Sequence, residues 1–327
     1  MEQEPLHFES RPEIERVKAK LDEIRRQIHK VIIGQEEMID LLLVTLLANG
    51  HVLIEGVPGV AKTITAKLLA RTLEAEFSRI QFTPDLMPSD ILGTSVFNIK
   101  NSEFEFKPGP VFSQIVLIDE INRSPAKTQA ALFEVMEERQ VTIDGHRYGM
   151  KEPFMVLATQ NPIEQEGTYR LPEAQLDRFL FKIEVDYPTG EEEVQIISTH
   201  HERKNKSKLD EIQPVMTTAE VLEYRDITQN IRMEKALMEY IAGIVVQTRE
   251  HPFLYLGASP RASLALMHAS KGFALLEGRD FVTPDDVKKA ALPVLRHRII
   301  ITPEREMEGI EAGQVIAQIL ENVEAPK

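Results

Sequence analysis

The chain has 327 residues, a formal net charge of −14 and no cysteine, so disulfides and thiolate chemistry are excluded. No apolar run approaches the roughly 18 residues that span a bilayer, and the acidic N-terminus lacks the apolar core of a signal peptide, so we expect a cytoplasmic protein without membrane insertion. The acidic balance weighs against a surface built for nucleic-acid phosphates, although a local basic pore remains compatible with it.

The first 50 residues contain two helical patterns. Residues 11–30 carry apolar side chains at three- and four-residue spacing, and a second pattern runs through Leu47. The apolar segment Val31–Gln35 separates them. We therefore predict two helices joined by a short turn.

The segment from His51 to Thr63 carries the first chemical signature. Val52–Ile54 is typical of a strand buried on both faces, Gly56–Ala61 is a loop with two glycines, and Lys62 opens a helical pattern. This order is the phosphate-binding arrangement of P-loop nucleotide hydrolases, because the loop N–H groups and the helix N-terminus attract anions. An ordinary strand-turn-helix is the alternative.

Individual roles follow from this arrangement. Lys62 would reach the β- and γ-phosphates, and the Thr63 hydroxyl would bind Mg²⁺. Ala61 stands where a third glycine is expected, so we predict a right-handed φ for it, which the start of a helix allows. Ile33 and Gly34 become candidate contacts of the adenine ring, although a helix-capping turn explains them equally well. The predicted nucleotide contacts are Ile33, Gly34, Gly56, Val57, Pro58, Gly59, Val60, Ala61, Lys62, Thr63 and Ile64.

After the P-loop helix, residues 76–82 read as a second strand and a turn leads into a short helix. Residues 96–106 form a predicted hairpin with Asn101 and Ser102 at its turn. This hairpin would leave the core, so it is either a substrate-facing element or a surface loop without a role.

Two carboxylates end the next apolar run. Residues 115–118 predict a buried strand, and Asp119 and Glu120 follow at its C-terminal end, where ligands bind in open α/β sheets. Asp119 would hold Mg²⁺, and Glu120 would orient or deprotonate the attacking water. A helix over residues 122–140 follows, starting near Ser124 and Pro125.

A hairpin over residues 141–148, with Asp-Gly at its turn, precedes a buried strand over residues 154–159. Asn161 follows that strand and would lie beside the two carboxylates. A neutral amide there can hydrogen-bond the γ-phosphate or the attacking water without repelling either. An Asn-Pro turn without a chemical role is the alternative.

A short helix over residues 171–179 ends at Arg178, and residues 180–185 form the fifth strand. Arg178 is either a surface cation or an arginine finger that enters the site of the next subunit, where a guanidinium neutralises transition-state charge.

Residues 187–193 are predicted to be a linker. Beyond it the pattern is helical throughout, over residues 218–229, 233–249, 260–277, 284–298 and 305–322. Arg261 lies in the first turn of its helix, where the dipole disfavours a cation. This suggests an anionic partner such as the γ-phosphate, with a solvated arginine as the alternative.

Five motifs in order resemble the MoxR-type AAA+ ATPases. The motifs are Gly-Val-Pro-Gly-Val-Ala-Lys-Thr, Leu-Ile-Asp-Glu-Ile-Asn-Arg, Ala-Thr-Gln-Asn-Pro-Ile-Glu-Gln-Glu-Gly-Thr-Tyr, Leu-Pro-Glu-Ala-Gln-Leu-Asp-Arg-Phe and Gly-Ala-Ser-Pro-Arg-Ala. The resemblance runs from about Val31 to Arg298. Alanine is the usual residue of this family at position 61, whereas Arg170 replaces the usual proline.

The resemblance implies specific roles for the motif residues. They are Walker A at Gly56–Thr63, Walker B at Asp119 and Glu120, sensor 1 at Asn161, an arginine finger at Arg178 and sensor 2 at Arg261. It also implies that a helix-2 insert (residues 96–110) and a pre-sensor-1 hairpin (residues 138–152) point at a ring pore. Arg123 would face a neighbouring subunit.

The expected fold is α/β: a three-layer AAA+ domain over residues 1–187 with a five-stranded, mostly parallel sheet, then a helical lid over residues 188–327, with the nucleotide between them. The resemblance implies an ATP hydrolase that uses Mg²⁺ and assembles into a ring, and it implies that this ring is a hexamer. It also implies remodelling of a protein client, often with a von Willebrand factor A partner. A nucleic-acid-directed motor and a nucleotide-dependent scaffold with negligible turnover remain alternatives.

Overall fold

The computed structural model describes residues 11–100, 102–162, 169, 171–203 and 208–326. The helices of the first part are α1 Pro12–His29, α2 Glu36–Leu47, α3 Lys62–Thr72, α4 Pro88–Leu92, α5 Ala126–Glu138 and α6 Glu173–Leu176. The strands of this part are β1 Val52–Gly56, β2 Phe77–Gln81, β3 Gly93–Asn98, β4 Glu103–Pro108, β5 Ile115–Asp119, β6 Gln140–Ile143, β7 His146–Gly149, β8 Met155–Gln160 and β9 Phe181–Val185. Predicted residues Asn101 and Arg170 lie outside the described ranges.

Five of these strands form one sheet in the order β2-β5-β8-β1-β9, and every pairing in it is parallel. All five residues of β5 are buried, as expected for a parallel strand covered on both faces. The carboxyl ends of β1, β5 and β8 therefore meet at one edge of the sheet, where the strands carry the predicted P-loop, the two carboxylates and Asn161. The α/β prediction is confirmed.

The two faces of the sheet pack into separate hydrophobic clusters. Alternate residues of β5, such as Ile115 and Leu117, face a large cluster that also contains α1, α2, α3 and the C-terminal helices. Val116 and Ile118 face a smaller cluster with α5. The helices after β9 thus share a core with the sheet rather than forming an isolated unit.

The C-terminal part is mainly helical. Its elements are α7 Gly190–Arg203, α8 Thr218–Gln229, α9 Lys235–Glu250, β10 Leu254–Leu256, α10 Pro260–Leu276, α11 Pro284–Leu295, β11 Ile300–Ile301, α12 Pro303–Met307 and α13 Ala312–Asn322. β10 and β11 form an antiparallel ribbon that sequence periodicity did not predict. Within the described ranges, no helix combines the length and apolar character needed to cross a bilayer.

Several predicted boundaries are wrong. The predicted linker over residues 187–193 already contains the start of α7, because Thr189 and Glu192 exchange hydrogen bonds in a capping box and three glutamates in the first turn favour the helix dipole. The predicted helix over residues 305–322 is two helices, interrupted where Gly309 takes a φ of 80°. The helix predicted over residues 284–298 ends at Leu295, and the one predicted to end at Arg178 ends at Leu176.

Candidate functional site

The glycine-rich loop after β1 adopts the expected shape, but one residue of it corrects a prediction. Ala61 has a φ of 62° and is therefore left-handed, not right-handed. The helix begins only at Lys62, so Ala61 still belongs to the loop, which curls with Gly59 at a φ of 92°. Left-handed backbone costs an L-residue about 1–2 kcal/mol, and such strained residues cluster at functional sites.

Close packing fixes the start of the loop. A Cβ on Gly56 would lie 2.7 Å from the carbonyl oxygen of Val185, at the end of β9. The Lys62 ammonium donates to the carbonyl of Gly56 across the loop. Burial lowers the pKa of Lys62, while the nearby carboxylates of Asp119 and Glu120 raise it.

A cavity of about 370 Å³ opens beside this loop. It is lined by residues 58–64 of the loop and α3, by the ends of β2 and β5, and by residues 159–161 after β8. The structure thus brings Lys62, Thr63, Asp119, Glu120 and Asn161 to one cavity, as the sequence predicts.

The two carboxylates are held by neighbouring strands. Asp119 is buried, accepts from the Thr159 hydroxyl at 3.1 Å and pairs with Arg79 Nε at 2.5 Å. The Thr159 hydroxyl also accepts from the backbone N–H of Glu120 at 3.1 Å. Thr159 therefore fixes the positions of both acidic residues relative to each other.

Glu120 has two further partners. Its carboxylate accepts from the Gln81 side chain at 2.7 Å and lies 3.2 Å from Arg123 Nε. Gln81 stands opposite Asp119 in the register of β2 and β5, and Arg79 precedes it by two residues on the same face. Arg79, Gln81 and Thr159 were not predicted as site residues from the sequence. The alternation of polar residues along β2 was the only available signal for the first two.

The donor set suits Mg²⁺. The described residues contain no cluster of three or more histidine or acidic side chains that could hold a metal by themselves. Mg²⁺ in nucleotide sites is held by one or two protein oxygens together with water and phosphate oxygens. The Thr63 hydroxyl and the Asp119 carboxylate, both at the cavity, fit that mode.

The predicted base contacts lie in a tight turn. Gly34 has a φ of 68°, and a Cβ on it would overlap Oε1 of Glu192 in α7. The Gln35 side chain donates to the carbonyl of Asp186 at 3.4 Å. Neither Ile33 nor Gly34 lines the cavity beside the glycine-rich loop, so their contact with a base stays a prediction.

Arg178 and Arg261 lie elsewhere. Neither lines the cavity, and both approach Glu137 near the end of α5: Arg261 Nη2 is 2.7 Å from Oε1, and Arg178 Nε is 3.7 Å from Oε2. Arg178 also donates to the carbonyl of Phe133. The anion that Arg261 contacts within this chain is thus a carboxylate, and its contact with a γ-phosphate stays a prediction.

The residue before Arg178 joins the sheet domain to the C-terminal helices. Asp177 accepts from the Ser259 hydroxyl at the N-cap of α10, at 2.9 Å, and from Arg298 Nε at 2.7 Å. The Arg298 side chain is only 3% exposed, and its remaining donors bind backbone carbonyls. Burial lowers the pKa of Arg298, and Asp177 opposes this effect.

The two predicted hairpins, β3–β4 and β6–β7, contact each other. The ring centroids of Phe106 and Tyr148 lie 4.2 Å apart, and the Ser95 hydroxyl donates to the Asp144 carboxylate. The β3–β4 hairpin also exposes aromatic side chains, since Phe97 is 49% and Phe104 74% exposed. The two hairpins thus form one protruding unit.

A larger cavity of about 870 Å³ lies between β9 and the last helices, and it shares no residue with the P-loop cavity. Among its charged side chains, Arg296 and Lys182 both pair with Glu184. The smaller cavity is therefore the candidate site, because carboxylates, an ammonium and the glycine-rich loop converge there.

Comparisons with known proteins agree with this geometry. Residues 51–181 match a family described as "ATPase family associated with various cellular activities (AAA)", and residues 246–319 match "AAA lid domain". The chain is 48% identical to "Uncharacterized protein YeaC" of Bacillus subtilis, over 91% of this chain and 92% of that protein. It is 44% identical to "Chaperone MoxR1" of Mycobacterium tuberculosis, over 92% of this chain and 81% of that protein.

A solved structure is also similar. It is that of a "putative ATPase" from Cytophaga hutchinsonii, with 43% identity and a TM-score of 0.89, covering 96% of this chain and 97% of that one.

Proposed function

Because the chain belongs to the MoxR family of AAA+ ATPases, we propose that it hydrolyses ATP in a ring assembly and uses this hydrolysis to remodel protein clients. One observation carries the enzymatic part of the proposal. Phosphate-binding residues and the catalytic carboxylate share one cavity, whereas Arg178 and Arg261 lie outside it. Because these two arginines lie outside the cavity of their own chain, they are available to the site of a neighbouring copy.

Each residue has a defined part in the proposed reaction. The loop N–H groups and Lys62 bind the β- and γ-phosphates. Glu120, held by Gln81, orients the water that attacks the γ-phosphorus and takes its proton as the bond to ADP breaks. Asn161 hydrogen-bonds the γ-phosphate or this water. Thr63 and Asp119 hold Mg²⁺, which when bound neutralises phosphate charge.

Arg178 supplies positive charge to the site of the next subunit. An arginine finger provided in trans can raise turnover by about 10³–10⁵. Arg261 and Arg178 both contact the carboxylate of Glu137, so both arginines would reach the neighbouring site together. By family resemblance, the ring is a hexamer.

The client contact is assigned to the protruding hairpin unit. Its exposed Phe97, Ile99 and Phe104 suit apolar segments of a protein client, and the name of the Mycobacterium tuberculosis relative includes "Chaperone". A von Willebrand factor A partner is proposed from the family resemblance alone.

The test is steady-state ATP hydrolysis against protein concentration, with mass measured by light scattering. Wild-type specific activity should rise as the protein assembles. Glu120→Gln should lose at least about 100-fold in turnover and still bind ATP, because only the group that activates water is removed.

Arg178→Ala should lose about 1000-fold in assembled protein, whereas Arg26→Ala, at an arginine exposed on α1, should not change turnover. Equal turnover of wild type and Arg178→Ala in assembled protein would contradict the shared site. Hydrolysis stimulated by DNA, with a steep salt dependence, would favour a nucleic-acid motor instead.

A further inference from the structure

A single carboxylate connects the two arginines outside the cavity. Oε1 of Glu137 accepts from Arg261 of α10 at 2.7 Å, and Oε2 lies 3.7 Å from Nε of Arg178. The arginines come from different parts of the chain, since one follows α6 of the sheet domain and the other opens a helix of the C-terminal part. Glu137 is therefore the point at which both guanidinium groups meet.

The contacts leave donors of both arginines unused. Nε of Arg178 is buried and has no hydrogen-bond partner among the described residues, because the carboxylate oxygen is too far away. The side chain of Arg261 is 51% exposed and uses Nη2 for Glu137. Each guanidinium carries five N–H donors. The exposed parts of the two side chains, 29% of Arg178 and 51% of Arg261, can therefore meet a further anion while Glu137 stays in place.

A negative group is needed to hold these cations together. Two guanidinium groups repel each other, and the first turn of α10 is itself a positive end of a helix dipole. One carboxylate between them offsets this repulsion and leaves a net positive charge for the anion.

We propose that Glu137 is a positioning residue for the shared site: it holds Arg178 and Arg261 side by side, so that the terminal phosphate of the ATP bound to the neighbouring copy meets both guanidinium groups. This inference rests on the proposed function, in which the arginines act in trans. It adds a residue that never touches the nucleotide and acts through the two that do.

The experiment separates the subunit that donates the arginines from the subunit that accepts them. Donor subunits carry Glu120→Gln, which disables their own site and leaves their arginines intact. Acceptor subunits carry Arg178→Ala, which leaves their own site intact. Each variant alone should be nearly inactive, and a mixture should regain hydrolysis wherever a donor precedes an acceptor. Light scattering verifies that every mixture assembles equally.

Glu137→Ala is then added to the donor only. We expect the activity of the mixture to fall about tenfold or more, because misplaced groups in a preorganised site lose rate steeply. The matched control is Glu138→Ala in the donor, an exposed glutamate one residue along the same helix, which should leave the activity unchanged. Glu137→Ala placed only in the acceptor, whose own finger is absent, should also have no effect.

The outcomes are distinct. Mixtures that regain no hydrolysis would refute the shared site, and the role of Glu137 with it. If mixtures with donor Glu137→Ala and donor Glu138→Ala regain equal hydrolysis, the role of Glu137 is refuted and the shared site is not. If Glu137→Ala lowers the hydrolysis rate equally in donor and acceptor, its effect is a general structural one. If Glu137→Ala in the donor raises the hydrolysis rate, Glu137 restrains the arginines rather than positioning them. Either result would also overturn the proposal.

Discussion

Asp177→Asn should destabilise the junction between the sheet domain and the C-terminal helices. The substitution keeps a hydrogen-bond acceptor of the same size but removes the negative charge that pairs with the buried guanidinium of Arg298. The other partners of Arg298 are neutral carbonyls, such as those of Phe179 and Leu180. Breaking a buried ion pair by removing one partner costs about 3–5 kcal/mol.

We expect a loss near the lower end of this range, about 3 kcal/mol, because the carbonyls still solvate the guanidinium and the Asp177 side chain is 18% exposed. Proteins of this kind have a total stability of about 5–15 kcal/mol, so the loss would be readily measured by urea unfolding followed by circular dichroism. Asp186→Asn, at an exposed position just after β9, serves as the matched control and should change stability by less than about 0.5 kcal/mol.

A second variant tests the physical reason. In Asp177→Asn with Arg298→Met, no unpaired charge is left in the interior, so the double variant should be more stable than Asp177→Asn alone. The reasoning would be refuted if Asp177→Asn unfolded within about 1 kcal/mol of wild type, or if the double variant lost more than the sum of the two single changes.

Two further predictions concern the base of the sheet and the P-loop. Burial, together with the charge of Arg139, lowers the pKa of His51 from 6.5 to about 3, so His51 stays neutral in the folded chain while the unfolded chain takes up a proton below pH 6.5. The free energy of unfolding should therefore fall as the pH drops from 6.5 to 3, and the loss should reach about 2 kcal/mol at pH 5. In His51→Gln, urea unfolding at pH 7 and pH 5 should show a difference in this free energy that is smaller by that amount. Gly56→Ala would place a Cβ 2.7 Å from the Val185 carbonyl, so the loop must shift and titration with a fluorescent ATP analogue should show at least about tenfold weaker binding, with an unchanged circular dichroism spectrum.

The features that the sequence predicted well depend on neighbours along the chain. The strand before Gly56, the apolar run before Asp119 and the helix starts at residues 260 and 284 are visible in short segments, and the structure confirms them. Their geometry at the edge of the sheet follows from parallel strand order, which brings the carboxyl ends together.

Other features depend on contacts that no local pattern encodes. The left-handed φ of Ala61 is imposed by the curl of the whole loop, against the preference of alanine. The partners Arg79 and Gln81 reach the carboxylates across strand pairs. Arg261 meets Glu137 at a sequence separation of 124 residues, so its carboxylate partner could not be read from the helix that carries it.

The missed start of α7 has a different cause. Its capping pair, Thr189 and Glu192, is present in the sequence, but Pro188 and Gly190 nearby favoured the prediction of a linker. Breaker residues therefore outweighed a capping signal that was physically the stronger one.

The contact between the two hairpins has a consequence for protein engineering. Phe106 of β4 stacks near Tyr148 of β7, and Ser95 bonds to Asp144 at the tip of the other hairpin. A chimera that takes only β3–β4 from a relative would set a foreign surface against an unaltered β6–β7, and the reverse exchange would do the same. The two hairpins are therefore a single transplantable cassette, although residues 109–139 separate them along the chain.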